Sequence, residues 1–580
     1  MITIFAAMNV LRLYRNPWIW LGAALLAILL RGLLLDVMDV DASQYASISM
    51  EMMQNGSWLE VKHRFGDYLD KPPLLFWSSA VSFLVFGLSS WAYKLPSVLG
   101  ALGGVYAVYR FSRLFYSEQT ARHAAFLLAS ATGFIVLCND VRTDTLLLGT
   151  TALAVWQLAE YMQFQRWKNL IGAFLCIGFA MLAKGPIGLV VPALAAGTHL
   201  LLQRDWRNLF RWQWPAGLVI TAVVLLPMCW GLYQQFDLHP EKPLNDRIST
   251  SGLYFYFWEQ SFGRITGNNV WRNNAGPFYF LHVYLWAFLP WALLVPGALW
   301  FHFRNAWNKA FNFKKYRLAE AFSLGGFVLT FIALSLSKYK LPHYIFVTLP
   351  WAAVMVASWL NADKKAEVPE LKRTVPFFWV FVSYTTFLLA LTAAFLLIGF
   401  VFPGNYWGWL VLSGGTLFLL AGIIKNPVQI SPDTLVQRGV IVAILAGVTL
   451  NFHFYPRLLP YQSTSNIGHF IQQTGIPKEK VAFFRRHGHA LDFYSQTITR
   501  RMESAWQIQE TARREGAIWV YTNQKGKSEL DLMQVPYEMV YEMGHFQTAL
   551  LKGRFLNPVT RQQSLEPVWL LKISPLRTSN

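Results

Sequence analysis

The chain has 580 residues, of which 54% are hydrophobic and only 14% charged, and its formal net charge is +19. Apolar runs long enough to cross about 30 Å of hydrocarbon recur along it, which excludes a soluble globular protein. Because the Lys and Arg residues lie in short loops between these runs, the positive charge indicates membrane orientation and excludes a nucleic-acid partner. The three cysteines lie within or at the ends of apolar runs, so they predict neither a disulfide framework nor a metal cluster.

The first apolar run, 17–38, is long enough to span and predicts an uncleaved first helix, because no small-residue cleavage pattern follows a short apolar core. Arg12 and Arg15 precede this run and predict a cytoplasmic N-terminus. Further runs begin near Pro72, Trp91, Gln119, Thr143, Lys168, Ile187, Gln213, Pro277, Leu318, Pro342, Thr374, Trp407 and Arg438.

One of these apolar segments is expected not to cross. The basic connections between segments all fall on the cytoplasmic side only if one early segment stays uncrossed. Segment 72–90 opens with two prolines, carries five serines and is barely long enough to span, so we predict that it lies along or dips into the outer interface. The predicted fold is an α-helical polytopic membrane protein with about thirteen spans.

The tail of the chain changes character. Short β-like runs at 481–484, 517–522 and 567–573 and a helical run at 504–515 predict a small α/β domain outside the membrane. We therefore divide the chain into a transmembrane domain, 1–460, and a C-terminal extracytoplasmic domain, 461–580. The first of these carries two outer-face loops, 39–91 and 235–276.

The first outer loop begins with a possible short helix headed by an acid. Asp41, Tyr45, Ile48 and Met52 recur at helical spacing and predict one stripe of that helix. Two interpretations of Asp41 stay open. It is either an N-cap with Gln44 reaching back as a capping box, or a carboxylate that acts on a substrate.

A rigid Asp70-Lys71-Pro72-Pro73 turn follows an aromatic-rich stretch containing Tyr68. The default explanation of a lone lysine at a membrane boundary is snorkelling. Other cations on the same predicted face argue for an anion held at the membrane surface, for which a lipid phosphate fits best. These cations are Lys184, Lys338, Lys340, Arg264 and Arg272.

Three weaker features have ordinary explanations. Asp140, Arg142 and Asp144 predict a structural ion pair with a cap, or groups that line the same cavity. His487 and His489 are interpreted without nearby acidic or Cys partners, and they predict a solvated loop and no metal site. The aromatics of 254–258 predict an interfacial belt, or a groove for a prenyl chain.

The order of four motifs resembles the integral-membrane GT-C glycosyltransferases, and within them the bacterial lipid A aminoarabinose transferases and their protein O-mannosyltransferase-like relatives. The motifs are the acid with Tyr45-Ala46 and Ile48-Ser49, the Asp70-Lys71-Pro72 turn, Lys-Gly-Pro at 184–186, and Ser-Lys-x-Lys-Leu-Pro at 337–342 with Tyr344 following. The chain departs from the family at Ala42, Gln44 and Glu259-Gln260, where the family has a second acid, an Arg and a Glu-His pair.

The resemblance implies a donor sugar on a polyprenyl phosphate, commonly undecaprenyl phosphate, and a lipid or glycan acceptor such as lipid A. By resemblance, Lys71 holds the leaving phosphate with Arg264, Lys340 and Tyr344, while Asp41 orients or deprotonates the acceptor. The donor and substrate site is expected to include Tyr45, Tyr68, Asp70, Lys184 and Lys338. No cofactor is certain, and assistance by a divalent metal stays open. The expected location is the bacterial inner membrane, with the site and the C-terminal domain on the periplasmic face.

Two other classes remain. A transporter or flippase of a lipid-linked sugar also needs many spans and an anion site, but it is expected to show inverted repeats and ionisable groups near the bilayer midplane. A scaffold whose outer domain binds a partner leaves the first outer loop unexplained. Within the transferase class, a protein O-glycosyltransferase is the alternative to a lipid A-like acceptor.

Overall fold

The computed structural model describes residues 16–242, 251–260, 263, 273, 275–312, 318–362, 374–425 and 430–575. Arg12 and Arg15 lie outside these residues. Apart from single turns and short π and 3-10 segments, the helices up to residue 460 are Pro17–Leu33 (α1), Asp41–Asn55 (α2), Leu74–Phe86 (α3), Ser90–Phe115 (α4), Glu118–Ala129 (α5), Thr132–Asn139 (α6), Thr143–Phe164 (α7), Trp167–Lys184 (α8), Ile187–Gln203 (α9), Gln213–Leu232 (α10), Tyr279–Ala287 (α11), Val295–Phe311 (α12), Phe322–Ser335 (α13), Leu349–Leu360 (α14), Phe377–Leu396 (α15), Tyr406–Lys425 (α16) and Pro432–Val448 (α17).

Six helical segments of the described chain are long and apolar enough to cross a membrane. The number rises to eight if each of two bent helix pairs counts as one span; α5 and α6, for example, are bent by 52°. Four further apolar helices, α1, α3, α9 and α13, are shorter than these spans. Over the described residues the chain is a mostly helical multi-pass membrane protein with six to eight candidate spans. The sequence-based count of about thirteen stays a prediction.

Helix α3 is the segment that the sequence leaves uncrossed. It has 13 residues and begins directly after Pro73, so its length is about 20 Å, short of the roughly 30 Å of a hydrocarbon core. Its serines bind the first turn of α4: Ser79 donates to the carbonyl of Tyr93 at 3.0 Å and Ser82 to that of Ala92 at 2.6 Å. Helix α3 therefore packs against the start of α4 within the first outer loop.

Two short strands, Lys62–His63 (β1) and Gly66–Asp67 (β2), lie between α2 and α3. The C-terminal residues form a mixed sheet of five strands, Val481–Phe484 (β3), Arg500–Met502 (β4), Ile518–Asn523 (β5), Glu538–His545 (β6) and Glu566–Ile573 (β7). Their order in the sheet is β4-β3-β5-β7-β6. Strand β3 is parallel to β4 and β5, and β7 is antiparallel to both of its neighbours. The helices are Ser463–Thr474 (α18), His489–Ser495 (α19), Ala505–Glu515 (α20) and Gln524–Leu532 (α21).

The three predicted strands and the predicted helix of this tail are confirmed. These strands contribute most of the buried side chains of the sheet, and Phe484, Val520 and Leu571 are fully buried. The two strands that the sequence did not predict, β4 and β6, are at the sheet edges. Edge strands expose one side and carry charged residues, so they lack the hydrophobic pattern that marks a central strand.

The chain between α1 and α2 is bound by the C-terminal domain. The backbone N–H of Val37 donates to the Tyr494 hydroxyl at 2.7 Å, and that of Asp39 donates to Gln462 Oε1 at 2.7 Å. The Asp39 carboxylate accepts from the backbone N–H of Ala490 at 3.1 Å, and burial raises the pKa of this carboxyl. The C-terminal domain therefore fixes the position of the start of α2.

Helices α4 and α7 pack closely at a glycine. A Cβ added to Gly149 would lie 2.0 Å from the carbonyl oxygen of Gly100, which is rigid backbone. We expect Gly149→Ala to lower the melting temperature in detergent by several degrees, since overpacking costs about 1–3 kcal/mol. Gly197→Ala is the matched control, because no heavy atom of the described residues outside its own stretch of helix lies within 4 Å of the added Cβ. Equal melting temperatures for the two variants would contradict this packing.

Candidate active site

Asp41 is the first residue of α2 and not its cap. Val40 occupies the N-cap position with no side-chain hydrogen bond to the helix, so the predicted capping box with Gln44 is wrong. The Asp41 carboxylate instead accepts a hydrogen bond from Arg142 Nη1 at 2.5 Å. A guanidinium offers a charged partner that is stronger than a backbone N–H. The predicted helix is confirmed, and its spacing places Tyr45, Ile48 and Met52 on the same face as the acid.

Arg142 connects two acids across the start of α7. Its Nη2 atom lies 2.8 Å from Asp140 Oδ2, and its Nη1 atom is shared with Asp41. The Nδ1 atom of His343 is 3.4 Å from the same Nη1 atom. The predicted ion pair within 140–144 is therefore confirmed, and it extends to the head of α2.

A second ion pair lies beside the first. Lys184, the last residue of α8, pairs with Asp144 at the start of α7. Asp144 also has His343 Nε2 at 3.6 Å, so His343 lies between the two pairs. The Lys184 ammonium is 3.8 Å from the ring centroid of Tyr344, which is 7% exposed. Lys184, Tyr344 and Asp41 thus belong to one connected polar cluster.

The position of Lys184 follows from the sequence after it. Gly185 has a φ of 86°, a conformation that side chains rarely adopt, and Pro186 stands at the cap of α9. Helix α8 therefore ends at Lys184 and α9 begins at once. The predicted Lys-Gly-Pro turn is confirmed, and it places an ammonium group at a helix end, beside Asp144.

Tyr45 connects this cluster to the Lys71 loop. Its ring centroid is 5.8 Å from that of Phe76, and the centroid of Tyr68 is 6.0 Å from Phe76 on another side. Burial raises the pKa of Tyr45 well above its ordinary value, and the nearby Tyr68 and Asp41 raise it further against the opposing charge of Arg142. The phenol stays protonated and can donate a hydrogen bond to a substrate oxygen.

The Lys71 turn has the shape that its prolines predict. The Lys71 ammonium lies 3.4 Å from the carbonyl oxygen of Asp70, and α3 starts directly after Pro73. The side-chain amide of Gln260 donates to the same carbonyl. Asp70 Oδ1 is a buried atom with no hydrogen-bond partner among the described residues. The turn is therefore held through its backbone carbonyl, and its carboxylate contributes a buried oxygen.

The remaining predicted cations differ in their placement. Lys340 is 6% exposed, and its ammonium donates to the carbonyls of Ala275 at 3.0 Å and Gly276 at 3.2 Å. It therefore fastens the end of the second outer loop. Lys338 is exposed. Arg264 and Arg272 lie outside the described residues.

The aromatic run of the second loop divides into buried and exposed rings. Phe255 and Tyr256 are buried, and the Tyr256 hydroxyl donates to the carbonyl of Met181 at 3.0 Å in α8. Tyr254, Phe257 and Trp258 are exposed. The predicted belt and the predicted prenyl groove both need such exposed rings, and both stay predictions.

The solvated loop predicted for His487 and His489 is wrong. His487 Nε2 lies 3.1 Å from Asp492 Oδ2, and His489 Nδ1 lies 3.2 Å from His63 Nε2 in the first outer loop. Burial lowers the pKa of His489 to about 3 and that of His63 to about 4. Both imidazoles are therefore neutral at pH 7, and one donates to the other. Within the described parts of the chain, no three His, Cys, Asp or Glu side chains form a metal-binding group.

Sequence reasoning missed His343, Phe76, Arg64 and Asp492. His343 directly follows the Ser-Lys-x-Lys-Leu-Pro motif and precedes Tyr344, so its neighbours in the chain were the available signal. Phe76 follows the double proline by three residues. Asp492 follows His489 by three residues, and this nearby acid was the available signal. No local pattern marks Arg64, because its contact with Asp492 joins residues that are 428 positions apart.

Comparison with known proteins first gives the class. Residues 70–230 match the family described as dolichyl-phosphate-mannose-protein mannosyltransferase. The fold is that of two crystal structures of ArnT from Cupriavidus metallidurans. The apo structure matches with a TM-score of 0.71 over 98% of each chain at 18% identity. The undecaprenyl phosphate-bound structure matches with a TM-score of 0.69 at 19% identity, over 95% of this chain and 97% of that one. The resemblance to GT-C glycosyltransferases that the four motifs indicate is confirmed.

Particular relatives are arabinosyl transferases. The chain is 30% identical over 349 residues to the undecaprenyl phosphate-alpha-4-amino-4-deoxy-L-arabinose arabinosyl transferase of Pseudomonas savastanoi pv. phaseolicola. It is 26% identical over 340 residues to a protein of the same description in Proteus mirabilis. These alignments cover 59% and 57% of this chain, and they span only 61% and 57% of the relatives' own length.

Proposed function

We propose that this chain is a polyprenyl-phosphate-dependent glycosyltransferase that moves 4-amino-4-deoxy-L-arabinose from undecaprenyl phosphate to a lipid A-like acceptor. The main observation behind the proposal is a connected cluster of charged and aromatic side chains near the start of α2. Its members are Asp41, Arg142, Asp144, Lys184 and Tyr344. The descriptions of the relatives support this donor and sugar. The absence of a nucleotide-binding fingerprint in the sequence also supports a lipid-linked donor.

In the proposed reaction an acceptor oxygen attacks the anomeric carbon of the sugar. The bond from that carbon to the phosphate oxygen breaks, and polyprenyl phosphate leaves with the electron pair. Lys71 neutralises the leaving phosphate with Tyr344, Lys340 and Arg264 as supporting donors. Stabilising this charge is the larger energetic task, because preorganised electrostatics is usually the leading catalytic term. Tyr45, Tyr68 and Asp70 line the same substrate site, with Lys184 and Lys338 as further cations.

Asp41 faces the acceptor in this proposal. Arg142 fixes its orientation from one side, so the second carboxylate oxygen is left to meet the acceptor. If the acceptor is a phosphate of lipid A, no strong base is needed and Asp41 mainly positions it. If the acceptor is a hydroxyl, Asp41 accepts its proton, a role worth on the order of 10²–10⁴-fold.

We also propose about thirteen crossings in the bacterial inner membrane, with the site and the domain 461–580 on the periplasmic face and the domain 1–460 in the membrane. The length of α3, about 20 Å, supports its exclusion from the count. The bent pairs and the short apolar helices α1, α9 and α13 supply further segments of suitable composition.

Cysteine labelling in cells whose inner membrane is intact tests this topology. We expect a cysteine placed at Leu532 or Val559, which are 83% and 82% exposed, to react with a membrane-impermeant maleimide from outside, once the outer membrane has been made permeable. The wild-type protein, whose cysteines are partly or fully buried, is the background control. Reaction only after the inner membrane is also opened would reverse the orientation.

The transporter alternative fits the site less well. Lys184 and Asp144 lie at the ends of α8 and α7, whereas a transporter is expected to hold such groups near the midplane. A protein acceptor remains a second candidate, because the matched family is described by mannosyl transfer to protein.

One transfer experiment separates these functions. Purified protein is incubated with radiolabelled undecaprenyl-phosphate aminoarabinose, a total lipid extract and, separately, a total envelope-protein fraction. We expect label in lipid A and not in protein. Label in protein alone would favour the O-glycosyltransferase, and label that stays on the donor in every mixture would contradict a transferase.

A further inference from the structure

A hairpin in the first outer loop reaches the C-terminal domain. Its two short strands, Lys62–His63 (β1) and Gly66–Asp67 (β2), place Arg64 and Phe65 at the tip. Both tip residues have positive φ, 55° and 64°. The Glu51 carboxylate of α2 accepts both of their backbone N–H groups at 2.7 Å. The tip is thus tied to the same helix that carries Asp41.

The Arg64 side chain leaves the loop and enters the C-terminal domain. Its guanidinium pairs with Asp492 and donates to the backbone carbonyl of Thr499. The guanidinium carbon also lies 4.9 Å from the centroid of the Phe483 ring in β3. The Arg64 side chain therefore occupies a site in the C-terminal domain that Asp492, Thr499 and Phe483 form.

Asp492, which pairs with the Arg64 guanidinium, is a buried carboxylate that further hydrogen bonds hold in position. Its side chain is completely buried, and its Oδ1 atom accepts from the Thr499 backbone N–H at 3.0 Å and from the Thr499 hydroxyl at 2.5 Å. Oδ2 is left for Arg64 and His487. Although burial acts to raise the pKa of Asp492, His487 and Arg64 hold it below its ordinary value. Oδ2 therefore has one partner in its own domain, His487, and one partner in the first outer loop, Arg64.

The hairpin leads directly into the substrate residues. Strand β2 ends at Asp67, and Tyr68 and the Asp70-Lys71 turn follow at once. The Tyr68 backbone N–H donates to the Val61 carbonyl at 3.0 Å, so Tyr68 moves with the hairpin. The hairpin is therefore continuous with Tyr68 and, three residues further on, with Lys71.

We propose that Arg64 and Asp492 are positioning residues, through which the C-terminal domain holds the Lys71 loop in its donor-binding geometry. This inference rests on the proposed function for the role of Lys71, and it assigns the domain a part in donor binding. Neither residue touches the donor. The Arg64–Asp492 pair instead fixes the position of Lys71, which contacts the donor.

Hydrogen exchange and kinetics together test the proposal. In Arg64→Gln and Asp492→Asn we expect the amides of Arg64 or its replacement, Phe65 and Tyr68 to exchange at least tenfold faster, while amides of β3, β5 and β7 keep their wild-type rates. The donor KM is expected to rise at least tenfold with a smaller fall in kcat. Arg64→Lys, which keeps the charge, is expected to restore part of the loss.

Arg500→Gln is the matched control. It breaks an arginine–carboxylate pair with Glu515 on the surface of the same domain, with 2.6 Å between Nη2 and Oε2, and it is expected to change neither readout. Wild-type loop exchange in both test variants would overturn the proposal. So would equal loss of protection across β3, β5 and β7, because Asp492 would then stabilise the domain and not the loop. Faster loop exchange in a protein whose wild type transfers no sugar would leave the positioning intact and reject the proposed function.

Discussion

Lys71→Ala is expected to reduce sugar transfer by about 10²–10³-fold or more, the loss that follows removal of one preorganised charge-stabilising group. The ammonium is presented on a turn whose backbone is held by Gln260 and by the helix start after Pro73, so the loop fixes its position. Lys71→Arg is expected to keep a measurable remnant, because a guanidinium retains the charge but not the geometry. The measurement is turnover of labelled donor by purified variants of equal melting temperature.

Lys62→Ala is the matched control for this experiment. Lys62 is in the same loop, is partly exposed and pairs with Glu60 at 3.0 Å, so its loss removes an equal charge away from the proposed phosphate. We expect nearly wild-type turnover. Wild-type turnover in folded Lys71→Ala would reduce Lys71 to a snorkelling residue and remove the phosphate site from this loop.

Asp41→Asn is expected to cost at least a hundredfold in rate with little change in melting temperature. The carboxylate is about one-third exposed and pairs with Arg142, and exposed ion pairs contribute about 0–1 kcal/mol. The amide oxygen can still accept from Arg142, so the fold keeps its contact. The charge that acts on the acceptor is lost, a deficit of about 10²–10⁴-fold for a base.

Asp36→Asn is the control for a carboxylate on the neighbouring linker. Asp36 lies 3.3 Å from His469 and is similarly exposed, and its loss is expected to leave turnover close to wild type. Full activity of Asp41→Asn would reject a catalytic role for the acid. Because Val40 and not Asp41 caps α2, a silent variant would no longer be explained by capping either.

The parts of the fold that local patterns specify were predictable from the sequence. Strands β3, β5 and β7 and helix α20 are within a residue or two of their predicted bounds, because each buries a continuous or periodic apolar set. The turn at Lys184 was predictable because only glycine tolerates its backbone and proline starts the next helix. Residues whose conformation is set by neighbours in the chain can be inferred from those neighbours.

The partners of the site residues were not predictable. Asp41 meets Arg142 from 101 positions away, and local spacing offered a capping box with Gln44 as one of two interpretations. His487 and His489 looked solvated because their partners, Asp492 apart, come from the first outer loop. The number of membrane spans is difficult to predict for a similar reason, because the bends in helix pairs and the lengths of short apolar helices depend on packing and not on composition. Long-range pairing of charges leaves no local pattern.

Photo-crosslinking with a lipid phosphate tests the central claim most directly. Undecaprenyl phosphate with a diazirine on its first isoprene unit is irradiated with the purified protein, and the labelled peptides are identified by mass spectrometry. The account predicts crosslinks within 57–77 and beside Lys184, loss of these crosslinks with excess unmodified undecaprenyl phosphate, and their strong reduction in Lys71→Ala. An apolar cavity of about 360 Å³ between α16 and α17, lined by Trp407, Leu445 and Phe452, offers a non-specific lipid an alternative place. Crosslinks confined to that cavity, or unchanged by Lys71→Ala, would contradict the account.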